Sequence, residues 1–296
     1  MKLTKETNIL IVGLGLMGGS YAIALKKKGY RVGGIAHRRV SLEYALENGI
    51  VDYGADFPDP ELIGRADLLV FALYPHTFVE WIETYQRYFK PGALLTDVTG
   101  VKTAVVYRIQ KTLRPDVEFV AAHPMTGREV YGVQNSTDRT FGEANYIVTP
   151  TGSNTEENIE AVKKLGAEMG FARISELTPE AHDEMIAFVS QLSHVIAVTL
   201  MTCNELEGLE NYTGNSFRDL TRIAHINEDM WSELFTLNKA ALLKEMDLFS
   251  AQFDRLRRSL AEDDTDTMKA IMRRSTERRD AFDEIVTERK KEVKKL

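Results

Sequence analysis

Residues 8–20 of this 296-residue chain read NILIVGLGLMGGS, and this stretch decides the fold. Its first part is an apolar run of the kind that lies buried in a parallel sheet. Gly13, Gly15 and Gly18 follow in a G-x-G-x-x-G spacing, and a helical pattern comes directly after them. A glycine-rich turn between a strand and a helix is the context in which this motif binds a dinucleotide.

The three glycines suit three separate tasks. Gly13 permits a tight turn, Gly15 lets the backbone approach a pyrophosphate, and Gly18 lets the helix pack against the strand. The N-terminus of the helix offers amide groups and the positive end of a dipole to the phosphates. The alternative is a glycine-rich turn with only a structural role. We predict that the whole loop binds the cofactor, through Gly13, Leu14, Gly15, Leu16, Met17 and Gly18.

The end of the second predicted strand bears on which dinucleotide binds. In NAD-binding folds an acidic residue about 20 residues further on binds the ribose 2′-hydroxyl. Here residues 34–39 read GIAHRR, so Ala36 stands where the acid is expected, and Arg38 and Arg39 follow. A guanidinium matches phosphate oxygens with two parallel hydrogen bonds. We therefore predict NADP as the cofactor, with His37, Arg38 and Arg39 at its 2′-phosphate. NAD is the alternative, with both arginines as ordinary surface residues.

Strand-like and helix-like segments alternate up to about residue 176, and only helical patterns follow. This alternation predicts an α/β fold with a Rossmann-type, doubly wound, mostly parallel sheet. Thr178 and Pro179 form a helix start, with a hydroxyl at the N-cap and proline at the first helical position. We predict a dinucleotide-binding domain over residues 1–176 and an all-α C-terminal domain over residues 177–296.

The composition limits the possible partners. Hydrophobic residues make up 44% and charged residues 27% of the chain, as in an ordinary globular protein. The net charge of -7 does not favour nucleic acid or an anionic membrane, and no apolar run reaches the length of a membrane span. A single cysteine, Cys203, fits a reducing compartment, and the six histidines show no metal-ligand spacing. We expect a cytoplasmic protein that binds a small molecule.

A histidine follows the fifth predicted strand, in the segment AAHPMTGRE over residues 121–129. Ligands of open α/β sheets bind at the carboxyl ends of the strands, and a histidine there can act as a base near neutral pH. His123 is therefore the candidate base, with a structural histidine as the alternative. The fourth predicted strand is followed by DVTGVK, in which Thr99 and Lys102 bring a hydroxyl and a cation. A capped turn is the alternative there.

Two histidines lie on the first helix of the predicted second domain. Ser190 and His194 are four residues apart and share a face, with a satisfied core pair as the alternative. His182 lies about 120° from His194 on a helix of 3.6 residues per turn, which makes it the poorer candidate. The segment FRDLTR over residues 217–222 can direct an arginine at a carboxylate, but by itself it is uninformative.

Five separated blocks together resemble the prephenate/arogenate dehydrogenase family: GLGLMGGS, DVTGVK, HPMTGRE, SQLSH and FRDLTRIAHINEDMW. The first block occurs in many dehydrogenases, whereas the last three in this order are specific. The resemblance implies a prephenate dehydrogenase of tyrosine biosynthesis, which converts prephenate to 4-hydroxyphenylpyruvate by NAD(P)-dependent oxidative decarboxylation. Arogenate is the alternative substrate. The resemblance also implies a homodimer formed through the helical domain.

The resemblance implies roles for single residues as well. His123 would assist removal of the proton from the ring hydroxyl of the substrate. The family's serine in D-x-x-S-x-K is Gly100 here, and we take the neighbouring Thr99 as its substitute. The residues implied to contact the substrate are Glu129 at the pocket mouth, Ser190 and His194 in the pocket wall, and Arg222, supported by Asp219, on a carboxylate.

Two other functions remain as alternatives. The β-hydroxyacid dehydrogenases pair a similar loop with an all-α domain and use a lysine of that domain as acid and base. The nearest lysines, Lys163 and Lys164, fall on the last helix of the predicted first domain, which weakens this alternative. A non-catalytic NADP-binding sensor would lack His123 and Arg222, and both are present.

Overall fold

The computed structural model describes residues 1–128 and 130–293 of the chain. By its internal contacts the chain divides into two compact units, Met1–Lys239 and Ala240–Leu296. Both sheets lie in the first unit, and so do all the side chains of the site described below.

The first unit contains a six-stranded sheet in which every strand pair is parallel. Its strands are β1 (Ile9–Val12), β2 (Val32–Ile35), β3 (Tyr53–Ala55), β4 (Leu68–Phe71), β5 (Leu94–Asp97) and β6 (Glu118–Phe119). Their order is β3-β2-β1-β4-β5-β6, which is the order of dinucleotide-binding folds and reverses between β1 and β4. The predicted doubly wound class is confirmed, although β3 was not among the predicted strands.

The central strands β1 and β4 are apolar on both faces, so both faces of the sheet are covered. Ile9 and Ile11 of β1 belong to one buried cluster, and Leu10 and Val12 belong to another. Successive residues of a strand point to opposite faces, so an unbroken apolar run indicates cover on each side. The helices between the strands are α1 (Leu16–Lys27), α2 (Arg39–Glu47), α3 (Pro60–Arg65), α4 (Pro75–Tyr85) and α5 (Thr103–Thr112).

A second, three-stranded sheet consists of β7 (Ala121–Pro124), β8 (Asn145–Thr149) and β9 (Arg173–Glu176), with α6 (Glu156–Glu168) between the last two. β7 is antiparallel to β8, and β9 is parallel to it. The fifth predicted strand is not continuous, because the chain changes sheets between β6 and β7. The N–H of Val120 still donates to Leu95 O of the first sheet at 3.0 Å. The N–H of Ala122 instead donates to the Asp97 carboxylate at 3.0 Å, which ends the backbone ladder.

After residue 176 every regular element in the described part of the chain is helical, as predicted. The Thr178 hydroxyl accepts the N–H of Ala181, and Pro179 takes the first helical position. In the first unit the helices are α7 (Pro179–Ile186), a π-helical segment (Ala187–Leu192), α8 (Ser193–Thr202), α9 (Asn215–Thr221) and α10 (Glu228–Leu237). The second unit contains most of α11 (Lys239–Ala261) and all of α12 (Thr265–Val293).

Among the described residues, one continuous helical stretch, Pro179–Thr202, is long and apolar enough to cross a membrane by length and composition alone. The sequence predicted no segment of this kind, because no unbroken apolar run has the length of a membrane span. Only 28% of its most apolar window is buried in this chain. The same helix also buries three polar side chains, His182, Asp183 and Gln191. An exposed apolar face combined with buried polar groups is equally a property of a helix that packs against another protein surface.

Candidate active site

The glycine loop has the geometry that dinucleotide binding requires. Gly13 has a φ of 101°, and a Cβ there would lie 2.4 Å from Ala72 O. A Cβ on Gly18 would lie 1.9 Å from Gly13 O, so only glycine lets α1 pack this closely against the turn. A Cβ on Gly15 would meet no protein atom within 4 Å. The backbone at Gly15 is therefore open to a pyrophosphate just where α1 begins at Leu16.

The other predicted cofactor residues lie on either side of this loop. Leu14 is buried and packs against Gly34, so it offers the cofactor its backbone. Leu16 and Met17 open α1 and are half-buried. His37, Arg38 and Arg39 are exposed between the carboxyl end of β2 and the start of α2. Arg39 Nε donates to Glu43 Oε1 at 2.8 Å.

His123 is one end of a chain of three side chains. Its Nδ1 lies 2.8 Å from Nε2 of the buried His182, and His182 Nδ1 lies 2.8 Å from Asp183 Oδ1. Asp183 is fixed in turn by the backbone N–H groups of Lys102 and Thr103, each at 2.8 Å. These contacts join β7, α7 and the start of α5 around one histidine.

The hydrogen bonds assign the tautomers of both rings. Asp183 is an acceptor, so His182 carries its proton on Nδ1 and presents a lone pair at Nε2. His123 must then donate from Nδ1, which leaves its own Nε2 with a lone pair. A Cβ built on Gly100 would lie 3.8 Å from this Nε2. The basic nitrogen of His123 therefore faces the turn that follows β5.

The surroundings keep both rings neutral near pH 7. Burial, followed by the neighbouring His182 and Lys102, holds the pKa of His123 well below its usual range. Burial also lowers the pKa of His182, although the hydrogen bond to Asp183 opposes that effect. Burial alone would raise the pKa of Asp183, but the hydrogen bonds from His182 and Thr103 outweigh it and the net shift is downward. Neutral His123 is therefore a proton acceptor, and Asp183 fixes the orientation of its ring through His182.

A buried ion pair holds the strand that carries His123. Lys102 Nζ donates to Asp97 Oδ2 at 2.7 Å and to Ala122 O at 2.6 Å, and both charged side chains are fully buried. Asp97 Oδ1 accepts the N–H of Ala122 at 3.0 Å. The pair therefore binds both the N–H and the C=O of Ala122, the residue before His123. Burial lowers the pKa of Lys102, and the adjacent carboxylate of Asp97 opposes this shift.

Thr99 does not take the position predicted for it. Its hydroxyl is bonded to Asp97, lies 3.0 Å from Val101 O and accepts from Lys102 Nζ at 3.2 Å. The single hydroxyl proton is used within the buried pair, because the side chain points into the sheet rather than toward His123. Gly100 is the residue beside His123, so the structure assigns Thr99 to the support of the Asp97–Lys102 pair.

His194 and Ser190 are brought together, but through the backbone. His194 Nδ1 donates to Ser190 O at 2.9 Å, so the serine contributes its carbonyl to this contact. The His194 ring lies against Trp231 of α10, with centroids 3.7 Å apart and the ring planes tilted by 31°. The π-helical segment lies between His182 and His194 and has more residues per turn than an α-helix. The spacing of 3.6 residues used in the sequence analysis therefore does not hold between them.

The remaining predicted substrate residues are Asp219, Arg222 and Glu129. Asp219 is exposed on α9, and Arg222 is exposed in the turn directly after it. Glu129 lies outside the described residues. Residues 1–128 and 130–293 contain no group of three or more His, Cys, Asp and Glu side chains that could hold a metal ion.

Sequence reasoning missed the polar groups that organise the site. Asn238 Nδ2 donates to Asp183 O at 2.9 Å and to Gln191 Oε1 at 2.8 Å. Gln191 Nε2 donates to Leu234 O at 3.2 Å, so α10 is tied to the π-helical segment. The His-Asp pair at 182–183, one turn after the helix start, was the signal available in the sequence. His182 was judged the poorer candidate because the angle between His182 and His194 was calculated for a regular α-helix.

Comparison with known proteins is consistent with this geometry. A family model described as "Prephenate dehydrogenase, nucleotide-binding domain" matches residues 21–175, and one described as "Prephenate dehydrogenase, dimerization domain" matches residues 178–274. The prephenate dehydrogenase of Bacillus subtilis is 30% identical over 291 residues, which cover 95% of this chain and 77% of the relative. The chain belongs to the prephenate dehydrogenase family.

Solved structures of the family share the fold. The prephenate dehydrogenase from A. aeolicus, in complex with hydroxyphenyl propionate and NAD+, has a TM-score of 0.86 and 27% identity, covering 95% of this chain and 100% of that one. The Synechocystis arogenate dehydrogenase has a TM-score of 0.80 and 25% identity, covering 93% and 100%. As a family member, the chain is an oxidoreductase with an NAD(P)-binding domain.

Proposed function

We propose that the chain oxidises and decarboxylates prephenate to 4-hydroxyphenylpyruvate, the dehydrogenase step of tyrosine biosynthesis. The observation that carries this proposal is the His123–His182–Asp183 chain, which ends in a neutral, basic nitrogen beside Gly100. The reaction needs such a base, since oxidation at a hydroxyl-bearing carbon requires the hydroxyl proton to leave. The relatives named prephenate dehydrogenase support the choice of substrate.

In the proposed reaction His123 Nε2 accepts the proton of the ring hydroxyl, and the carbon–hydrogen bond at the same carbon gives its hydride to the nicotinamide. The bound dinucleotide supplies the hydride acceptor. The resulting dienone loses its ring carboxylate as CO2, and the electron pair of that bond makes the ring aromatic. The protonated His123 then returns the proton to the phenolate oxygen. Asp183 stabilises the positive charge on the histidines while it exists.

The substrate carries two carboxylates, and the protein has a net charge of -7, so local cations are needed. We assign Arg222 to one substrate carboxylate, with Asp219 orienting it and Glu129 at the pocket mouth. His194 and Ser190 would line the pocket, with the His194 ring packed against Trp231. The alternative substrate is arogenate, since the similar Synechocystis enzyme is described as an arogenate dehydrogenase.

We propose NADP rather than NAD as the cofactor. The buried Ala36 leaves the end of β2 without the acid that binds a ribose 2′-hydroxyl, and Arg38 and Arg39 are exposed there. Two guanidinium groups suit a 2′-phosphate. NAD remains the alternative, since the A. aeolicus relative was solved with NAD+.

We also propose a cytoplasmic homodimer, with a boundary between the two domains at residues 176–177. The two family models meet between residues 175 and 178, and the second is described as a dimerization domain. The apolar face of Pro179–Thr202 would then be covered by the second copy rather than by lipid. Large apolar side chains exposed on this helix are Met185, Phe188, Val189 and Met201. Sedimentation of the purified chain without detergent tests this point, because monomer alone would contradict it.

The experiment that tests the activity follows reduced nicotinamide at 340 nm with prephenate or arogenate, each with NADP+ or NAD+. We expect the highest kcat/KM with prephenate and NADP+. Activity with NAD+ alone would contradict the proposed role of Arg38 and Arg39 and would leave the proposed reaction in place. Activity with arogenate alone would show that arogenate, and not prephenate, is the substrate. Folded protein that binds a dinucleotide but turns over neither compound would contradict the proposed function.

A further inference from the structure

The connection from β7 to β8 runs across the first turns of α1, the helix that follows the glycine loop. Ser136 Oγ lies 3.0 Å from Leu16 O and 3.2 Å from Gly15 O. The N–H of Thr137 donates to Ser20 Oγ at 3.0 Å, and that hydroxyl itself donates to Leu16 O at 2.6 Å. The connection is therefore bonded to the same turn of backbone that opens toward the dinucleotide.

Gly19 makes this contact possible. A Cβ on Gly19 would lie 2.2 Å from Ser136 Oγ, 2.9 Å from Ser136 Cβ and 3.0 Å from Val133 Cγ2. Gly19 is not one of the glycines of the G-x-G-x-x-G motif, and glycine weakens the interior of a helix. Its place in GLGLMGGS is explained by the chain that packs on it rather than by the cofactor.

The rest of the connection reinforces the same attachment. Val133 and Phe141 are almost completely buried in the apolar cluster that includes Tyr21 of α1. Phe141 meets the Tyr21 ring edge-on, with centroids 5.9 Å apart. Nearer the surface, Lys27 Nζ pairs with Asp138 at 2.7 Å. The packing extends along most of the length of α1.

The other end of the connection leaves the strand that carries His123. Pro124 ends β7, and the N–H of Met125 donates to Asn145 O at 2.8 Å. Arg128 Nη1 donates to Asn135 O at 3.5 Å, which links the beginning of the connection to the turn that rests on α1. One segment thus joins the backbone of the dinucleotide loop to the residues that follow the catalytic base.

We propose that Gly19 and Ser136 are positioning residues, whose close contact couples occupation of the dinucleotide loop to the arrangement of the β7–β8 connection. The inference rests on the proposed function for its catalytic consequence. A dinucleotide at Gly15 and Leu16 fixes the turn that Ser136 contacts, and so orders the connection beside His123. By linkage, substrate and dinucleotide then strengthen each other's binding.

Hydrogen–deuterium exchange of the full chain tests the coupling without substrate, with NADP+ and NAD+ as the probes. In the wild type we expect either dinucleotide that binds to slow exchange of peptides within residues 130–140. Gly19→Ala should still bind the dinucleotide but lose this protection. Its kcat/KM for prephenate should fall about 10-fold or more, since small misplacements of reacting groups are costly.

A rescue variant separates this coupling from general damage. Ser136→Gly in the Gly19→Ala chain removes the two closest clashes but also the Ser136 hydroxyl. The bond from Thr137 N–H to Ser20 Oγ still joins the connection to the turn at Leu16, so we expect protection and kcat/KM to return in part. Lys27→Ala is the matched control, since it removes a contact between α1 and the connection that lies away from Gly19, and it should keep the protection. Should Gly19→Ala fail to fold, Ser136→Val introduces bulk at the same contact from the connection.

Three outcomes would overturn the coupling. In the first, exchange of residues 130–140 in the wild type does not change when a dinucleotide is added. In the second, the Gly19→Ala chain keeps the protection. In the third, the double variant has the same exchange rate and the same kcat/KM as Gly19→Ala. Absence of turnover with prephenate and arogenate would instead contradict the proposed function. The exchange result would stand in that case, because it needs no substrate.

Discussion

The two ends of the candidate site are built in opposite ways. At the base, His123, His182 and Asp183 hold one another at 2.8 Å, and His182 is fully buried. At the cofactor end, Arg38 and Arg39 are exposed, and Arg39 donates a hydrogen bond to Glu43. A buried polar group has few partners and depends on each of them, whereas an exposed charge is screened by water and salt. Substitutions should therefore matter far more at the first end than at the second.

The largest expected effect is at the base itself. His123→Asn removes the proton acceptor and should lower kcat by about 10²–10⁴-fold, the usual size of a general-base contribution. The measurement is kcat at 340 nm with saturating prephenate and dinucleotide. An unchanged kcat would contradict the proposed role of His123. It would also contradict the expectation that substitutions matter more around His123 than at the cofactor end.

Next comes the buried pair beneath the base. Lys102→Met leaves Asp97 charged and unpaired in the core, so the free energy of unfolding should fall by about 3–5 kcal/mol. The matched control is Lys5→Met, which breaks an exposed pair with Glu168 and should cost at most about 1 kcal/mol. Urea unfolding of both variants measures the difference. Equal losses would mean that the burial of Lys102 has no energetic consequence.

The third effect is on the pH dependence of catalysis. Activity requires neutral His123, so kcat/KM should be constant above its depressed pKa and fall only as the pH drops through that value. His182→Asn removes one of the groups that depress this pKa, and it also removes the partner of Nδ1. We expect the acidic limb to move to higher pH and kcat/KM at neutral pH to fall by about 10- to 100-fold, as for an outer hydrogen-bond partner.

The control for that experiment is His76→Asn. His76 is exposed and contacts Glu233 at 2.5 Å, so its loss should leave the acidic limb in place. A profile for His182→Asn that superimposes on the wild type would show that His182 packs against His123 without influencing its ionisation.

The smallest effect is expected at the exposed end. Arg38→Ala should raise the KM for NADP+ by at most about 5-fold, because exposed ion pairs contribute up to about 1 kcal/mol. The difference should shrink as salt is added, and the KM for NAD+ should not change. Glu43→Gln frees Arg39 and should lower the KM for NADP+. An Arg38→Ala chain that no longer binds NADP+ would show that the residues at the cofactor end depend on one another as strongly as those around His123.

The same difference explains how much the sequence could predict. Local signals identified the glycine loop, the doubly wound class and the helix start at Thr178, because each depends on neighbouring residues. The break between β6 and β7 depends on Asp97 accepting the N–H of Ala122, a contact between distant segments. The engagement of Thr99 by the buried pair and the contact of His182 with His123 also arise only after folding.

The π-helical segment Ala187–Leu192 has a consequence for how this helix tolerates change in length. A π-helical turn closes its hydrogen bonds over one more residue than an α-helical turn. Removing a single residue from it would convert this turn to α-helical spacing while the same donor and acceptor groups stay paired, so the helix beyond it would keep its orientation. His194 would stay against Trp231, and His182 would stay beside His123. The same deletion in a regular α-helical turn would rotate everything beyond it by about 100°, so this helix should tolerate the loss of one residue at the π-helical segment and not in α8.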